Sequence, residues 1–153
     1  MTGTNRSIAF WVFMVFLSLS LILLLIGQTM AVFNYDFAVS LGLQEDVKEV
    51  SEFGVEVNRA FGVGDTIIYI PLILLSIAGL ILKKRWALIS TAAVMGITAY
   101  WATTVVFMFW FLVGVPSYSF VPGAEYWVVI SFYIIMGVGG IIYLMSRGEN
   151  LIR

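Results

Sequence analysis

Runs without a charged side chain constrain this chain more than any other feature. Residues 7–35, 66–82, 86–124 and 126–146 contain no Asp, Glu, Lys or Arg. About 20 apolar residues suffice to cross a bilayer, and backbone in hydrocarbon must satisfy its own hydrogen bonds, so such runs fold as helices. The pattern predicts an all-α, four-helix transmembrane bundle forming one integral membrane domain over 1–153, with spans at about 8–33, 62–82, 86–113 and 125–146. Composition points the same way: 61% of residues are hydrophobic and 11% charged, against roughly 45–50% and about 25% in soluble domains.

The first run is too long for the apolar region of a signal peptide and reads as a retained first helix. The second run is the short one. Its 17 residues, 66–82, make roughly 25 Å of helix against a hydrocarbon core of about 30 Å. Asp65 is therefore expected at the membrane boundary or in the first turn. Glu125 stands at the corresponding place before the fourth run.

The basic residues assign an orientation. With the amino terminus inside, Arg6, Lys83, Lys84, Arg85, Arg147 and Arg153 are cytoplasmic, and only Lys48 and Arg59 lie outside. This positive-inside bias places both termini in the cytoplasm and both boundary acids outside.

Two absences remove whole classes of chemistry. With Cys 0 and His 0, thiol relays, thiolate or imidazole metal sites, ordinary haem ligation and histidine acid–base catalysis are excluded. No cofactor and no metal are expected, and any catalysis would run on carboxylates, tyrosines, hydroxyls or lysines. The net charge of −1, without a basic cluster interleaved with aromatics, sets nucleic acid aside as a partner.

The outer loop, residues 34–61, holds six acids and two bases, a formal charge of −4. Leu43, Val47, Val50, Phe53, Val57 and Phe61 recur at steps of three or four, which predicts a short amphipathic helix across the outer mouth of the bundle. The second outer connection, GVPSYSFVPG, is set by Pro116, Pro122 and its glycines, with aromatics suited to the headgroup level.

The candidate site residues are Asp65, Tyr69, Tyr100, Thr104 and Glu125. At about 1.5 Å per residue, Tyr69 lies about 10 Å, Thr104 about 12 Å and Tyr100 about 18 Å below the outer surface. Asp65 and Tyr69 share a helix face by their spacing, as do Tyr100 and Thr104. If the two faces meet, they form a polar streak descending from Asp65, beside Pro71, which frees the carbonyl of Ile67. The competing reading is structural. Gly64-Asp65-Thr66 reads as a helix start with Asp65 as its N-cap, and Glu125 as a first-turn acid favoured by the helix dipole.

The order G-x-G-D-x3-Y-x-P at 62–71, the basic turn KKRW and the pair Tyr100-Trp101 resemble small prokaryotic four-helix membrane proteins that lack an assigned function, over about residues 58–143. The resemblance implies a fold and no activity. The expected location is the prokaryotic plasma membrane. Four-helix sterol isomerases and quinone-linked thiol oxidoreductases share only the helix count, because their histidine or cysteine is absent here. The leading expectation is a protein that binds a membrane lipid or small lipid-like amphiphile in an outer-leaflet pocket, or packs against a membrane protein partner. An alternative is a transporter or channel component formed by homo-oligomerisation, against which the lack of mid-membrane charge counts. Last comes an intramembrane enzyme using Asp65 with Tyr69 or Tyr100.

Overall fold

The structure, a computed structural model, describes residues 6–153, so residues 1–5 of the expected domain lie outside the description. It comprises five helices: α1 (Ile8–Phe33), α2 (Tyr35–Ser40), α3 (Val47–Ile81), α4 (Trp86–Leu112) and α5 (Ala124–Arg147), followed by a 3-10 turn over Gly148–Leu151. No strand occurs among the described residues. The apolar runs explain the helices, and α1, α3, α4 and α5 are each long and apolar enough to cross a membrane. That is the architecture of a multi-pass membrane protein.

Local chemistry sets the helix ends. The Ser7 hydroxyl accepts from the Phe10 amide at 3.1 Å and starts α1. Beside it, the Arg6 guanidinium donates to the Leu80 and Ile81 carbonyls at 3.2 and 2.8 Å, satisfying acceptors that the end of α3 leaves open. Asp46 and Glu49 form a capping box at the start of α3. The turn to α4 passes through Lys83 at φ 54.

Close packing is concentrated at the end of the bundle that carries this basic turn. Leu17, Ile73, Leu80, Val94 and Met95 are fully buried there. Gly79 allows the α3–α4 hairpin to close, since a Cβ would stand 2.7 Å from the Ala87 Cβ and the Trp86 ring. Gly137 lets α5 approach the backbone of α4, where a Cβ would lie 2.6 Å from the Ala99 nitrogen. Small residues at such contacts are the usual currency of helix association in membranes. Farther along, Tyr133 of α5 joins α1 through a 3.1 Å bond between its hydroxyl and that of Ser20.

The second helix of the bundle differs from the sequence expectation. The amphipathic segment and the second span are joined in α3: beyond a kink at Ser51 the helix runs without a gap through Asp65 to Ile81. The apolar stripe is also interrupted: Val50 is buried, yet Phe53 is 79% exposed. Ser51, at φ 64 and ψ 169, breaks the helical register between them. The connection after α4 reaches the first turn of α3, where the Ser119 amide donates to the Glu49 carbonyl at 2.7 Å.

Candidate functional site

Two widened turns shape the loop-bearing half of the bundle. α1 opens into a π turn over Leu24–Thr29 and α3 into another over Asp65–Tyr69. In α3 the cause is readable. Pro71 offers no amide and its ring would press on the carbonyl four residues back, and the widened turn just before it relieves that crowding. The Ile70 amide accordingly reaches back five residues, to the Asp65 carbonyl. The two π turns pack side by side. Thr66 donates to the Gly62 carbonyl at 2.7 Å, so its one hydroxyl proton is used and it accepts from Thr29 at 2.9 Å. Gly62 makes the approach possible, because a Cβ there would stand 2.5 Å from the Gln28 carbonyl oxygen.

Asp65 is therefore in mid-helix, with helical φ −64 and ψ −41. It caps nothing. The N-cap reading fails because the chain is already helical from just after the Ser51 kink through Gly64 when it reaches Asp65. Glu125, by contrast, does stand in the first turn of its helix, with Gly123 as the N-cap.

The four long helices enclose a cavity of about 320 Å³ at this end of the bundle. Its floor is the pair Tyr69 and Thr98. Thr98 donates to the Val94 carbonyl at 2.8 Å, so the 2.6 Å bond between the two hydroxyls is donated by Tyr69. Its roof is the turn Gly42–Glu45 together with Asn58. Asn58 holds Glu45 at 2.8 Å and also donates to the Tyr35 hydroxyl at 3.1 Å, and that hydroxyl in turn donates to the Glu45 carbonyl at 3.0 Å. Burial raises the Glu45 carboxyl above the usual carboxylate range, against the lowering effect of its hydrogen bonds.

Asp65, Tyr69, Tyr100, Thr104 and Glu125 all border this cavity. Their arrangement departs from the expected streak. Tyr69 bonds Thr98, not Tyr100 or Thr104. Tyr100 is 72% exposed, so the cavity is open to the outside where it passes this residue. Tyr100, Thr104 and Met108 also belong to a groove that continues along the exposed flank of α4 past Phe107 and Phe111. These three residues stand between the cavity and this groove, while Asp65 and Tyr69 face the interior. Glu125 lies at the rim, its carboxylate folded against Gly123.

The sequence reading missed Gln28, Glu45, Asn58, Thr98, Tyr126 and Tyr133, which also line or support the cavity. Gln28 had a signal: it is an amide side chain well inside the first charge-free run, and polar groups within a span face the bundle interior by default. Asn58, Gly62, Asp65 and Tyr69 follow one another at steps of four, three and four, a stripe that the assumed break before Asp65 concealed.

The electrostatics are one-sided. Glu45, Asp65 and Glu125 border the cavity, and no lysine or arginine does. The two bases of this end do not border the cavity: Arg59 pairs with Glu56 at 2.9 Å, and Lys48 is exposed in the first turn of α3. Asp65 is only 8% exposed, and its Oδ2 has no hydrogen-bond partner; the buried Gln28 Oε1 has none either. Both are acceptors, so the walls offer lone pairs to a donor or a positive charge. Compared with known proteins, the chain matches no family model, no curated protein and no solved structure.

Proposed function

We propose that this protein binds an amphiphile in a membrane, with the polar head in the cavity beside Asp65 and the tail passing Tyr100, Thr104 and Met108 toward the bilayer. The observation that carries this reading is the Asp65 carboxylate, buried to 8% exposure with an unpartnered oxygen on the wall of a cavity of about 320 Å³. A buried polar group without a partner costs about 1–3 kcal/mol, and more when it is charged. A ligand donor in the cavity removes that cost upon binding. The shape supports the same conclusion, because the apolar groove that shares Tyr100, Thr104 and Met108 with the cavity suits a hydrocarbon chain, and ligand sites are mostly apolar concavities with a few placed polar groups.

Native mass spectrometry of protein extracted in a mild neutral detergent tests the proposal. The wild type is expected to retain a lipid-like adduct that Asp65→Asn loses while remaining folded. Equal adducts on the two proteins, or a bare wild type that also gains no thermal stability from added membrane lipid extract, would overturn it. A homo-oligomer with the cavity walls buried between copies would favour the transporter reading instead.

A further inference from the structure

We infer that the head group taken by this cavity is an organic cation of the alkylammonium type; the inference rests on the amphiphile reading above and specifies its ligand. Three carboxylates, those of Glu45, Asp65 and Glu125, border the cavity without a lysine or arginine among the lining residues. Acidic residues together do not make a site by themselves. Here the second observation is Asp65, more than nine-tenths buried, with its Oδ2 unpartnered at the cavity wall. An anionic head would meet three negative charges in surroundings poorly screened by water, and a neutral head would leave them uncompensated.

The spacing of the acids selects the kind of cation. They come from the α2–α3 connection, the middle of α3 and the first turn of α5. Among the described residues no three such side chains lie close enough together to hold a metal ion. A diffuse ring of carboxylates around a cavity of about 320 Å³ fits a charge spread over a bulky alkylated nitrogen better than a compact ion that demands short oxygen contacts. The walls add the other half of such a site. Tyr69, Tyr100, Trp101, Tyr126 and Tyr133 all border the cavity, and Trp101 and Tyr133 stand with ring centroids 6.2 Å apart. Aromatic faces attract quaternary ammonium groups through the ring quadrupole, and the attraction grows when the cation is desolvated.

The test compares heads on one tail. Hexadecyltrimethylammonium, hexadecanol and hexadecanesulfonate are each added at equal low mole fraction to the full chain in digitonin micelles, and adducts are read by native mass spectrometry with thermal shift alongside. The trimethylammonium compound is expected to be retained at least about 10-fold over hexadecanol, a difference of about 1.4 kcal/mol. Asp65→Asn is expected to abolish most of that preference. Glu125→Gln, at the exposed rim, is expected to reduce it without affecting folding, and Glu56→Gln, away from the cavity, to leave it unchanged. Hexadecylphosphocholine separates the sources. Its retention would identify a choline-headed lipid and its rejection a singly charged amphiphile, and either result upholds the cationic head. Equal retention of hexadecanol, or preference for the sulfonate, would overturn the cation inference and leave amphiphile binding standing. Failure of every probe to bind would overturn both.

Discussion

Gly62 of α3 lies against the Gln28 carbonyl of α1 so closely that a Cβ would come within 2.5 Å of that oxygen. This contact brings the two π turns together and sets the wall that carries Asp65. The obstacle is backbone, which cannot swing aside as a side chain can. Gly62→Ala is expected to destabilise the protein by about 1–3 kcal/mol through overpacking. Gly64, two residues on, has helical φ −58 and nothing within 4 Å of its would-be Cβ. Gly64→Ala is expected to be neutral or to stabilise by up to about 1 kcal/mol. Thermal unfolding of both variants in one detergent checks the contrast, and equal effects would mean that the helices are not in contact at Gly62.

Tyr69 and Thr98 form the cavity floor through a 2.6 Å bond. Thr98 keeps its own bond to the Val94 carbonyl when the tyrosine hydroxyl is removed, so no donor is orphaned. Tyr69→Phe is expected to cost only about 0.6–1.7 kcal/mol, the range for interhelical bonds in membranes. Thr98→Val should cost more, about 1–3 kcal/mol, because it leaves the buried Tyr69 hydroxyl without its acceptor, and the double variant should cost less than the sum. Full additivity in a double-mutant cycle would show that the two hydroxyls do not interact.

Glu45 gives the roof a pH dependence. Burial raises its folded carboxyl above the ordinary value, with Glu49 adding to the effect and Asn58 opposing it. The folded state therefore holds this proton more tightly than the unfolded state. Its favourable contribution is complete below about pH 4.3, the ordinary glutamate value, and is lost as pH rises through the higher folded value. Melting temperature measured against pH should fall across that window, and Glu45→Gln should flatten the fall. An unchanged slope in the variant would assign the dependence to another group.

The orientation proposed from the basic residues is open to direct labelling. Because the chain has no cysteine, single cysteines can be placed at Lys48, Ser119 and Lys84, all exposed. An impermeant maleimide applied to intact cells is expected to label the first two and not the third. Gln44 is a poor position for this purpose, being only 7% exposed within the roof turn. Labelling at Lys84 alone would reverse the topology.

Much of the fold was legible in the sequence, because the apolar runs are long and the solvent they imply leaves helices as the economical backbone. The five candidate residues could also be found there, since a polar side chain near an apolar run stands out against its neighbours. Their relations could not. Gly64-Asp65-Thr66 has the composition of a helix start, and local propensity does not register that the chain is already helical from just after Ser51 to Gly64. Nor does spacing tell which hydroxyl Tyr69 meets, since Thr98 and Thr104 both lie on α4 and only the approach of α3 selects the first. By itself the sequence determined four apolar helices, a basic turn and a set of polar residues near one end. The tertiary structure alone decided that Asp65 is buried without a partner, that Glu45 and Asn58 roof the same space, and that Tyr100 opens it to one side, because burial and pairing depend on how helices far apart in the chain cross.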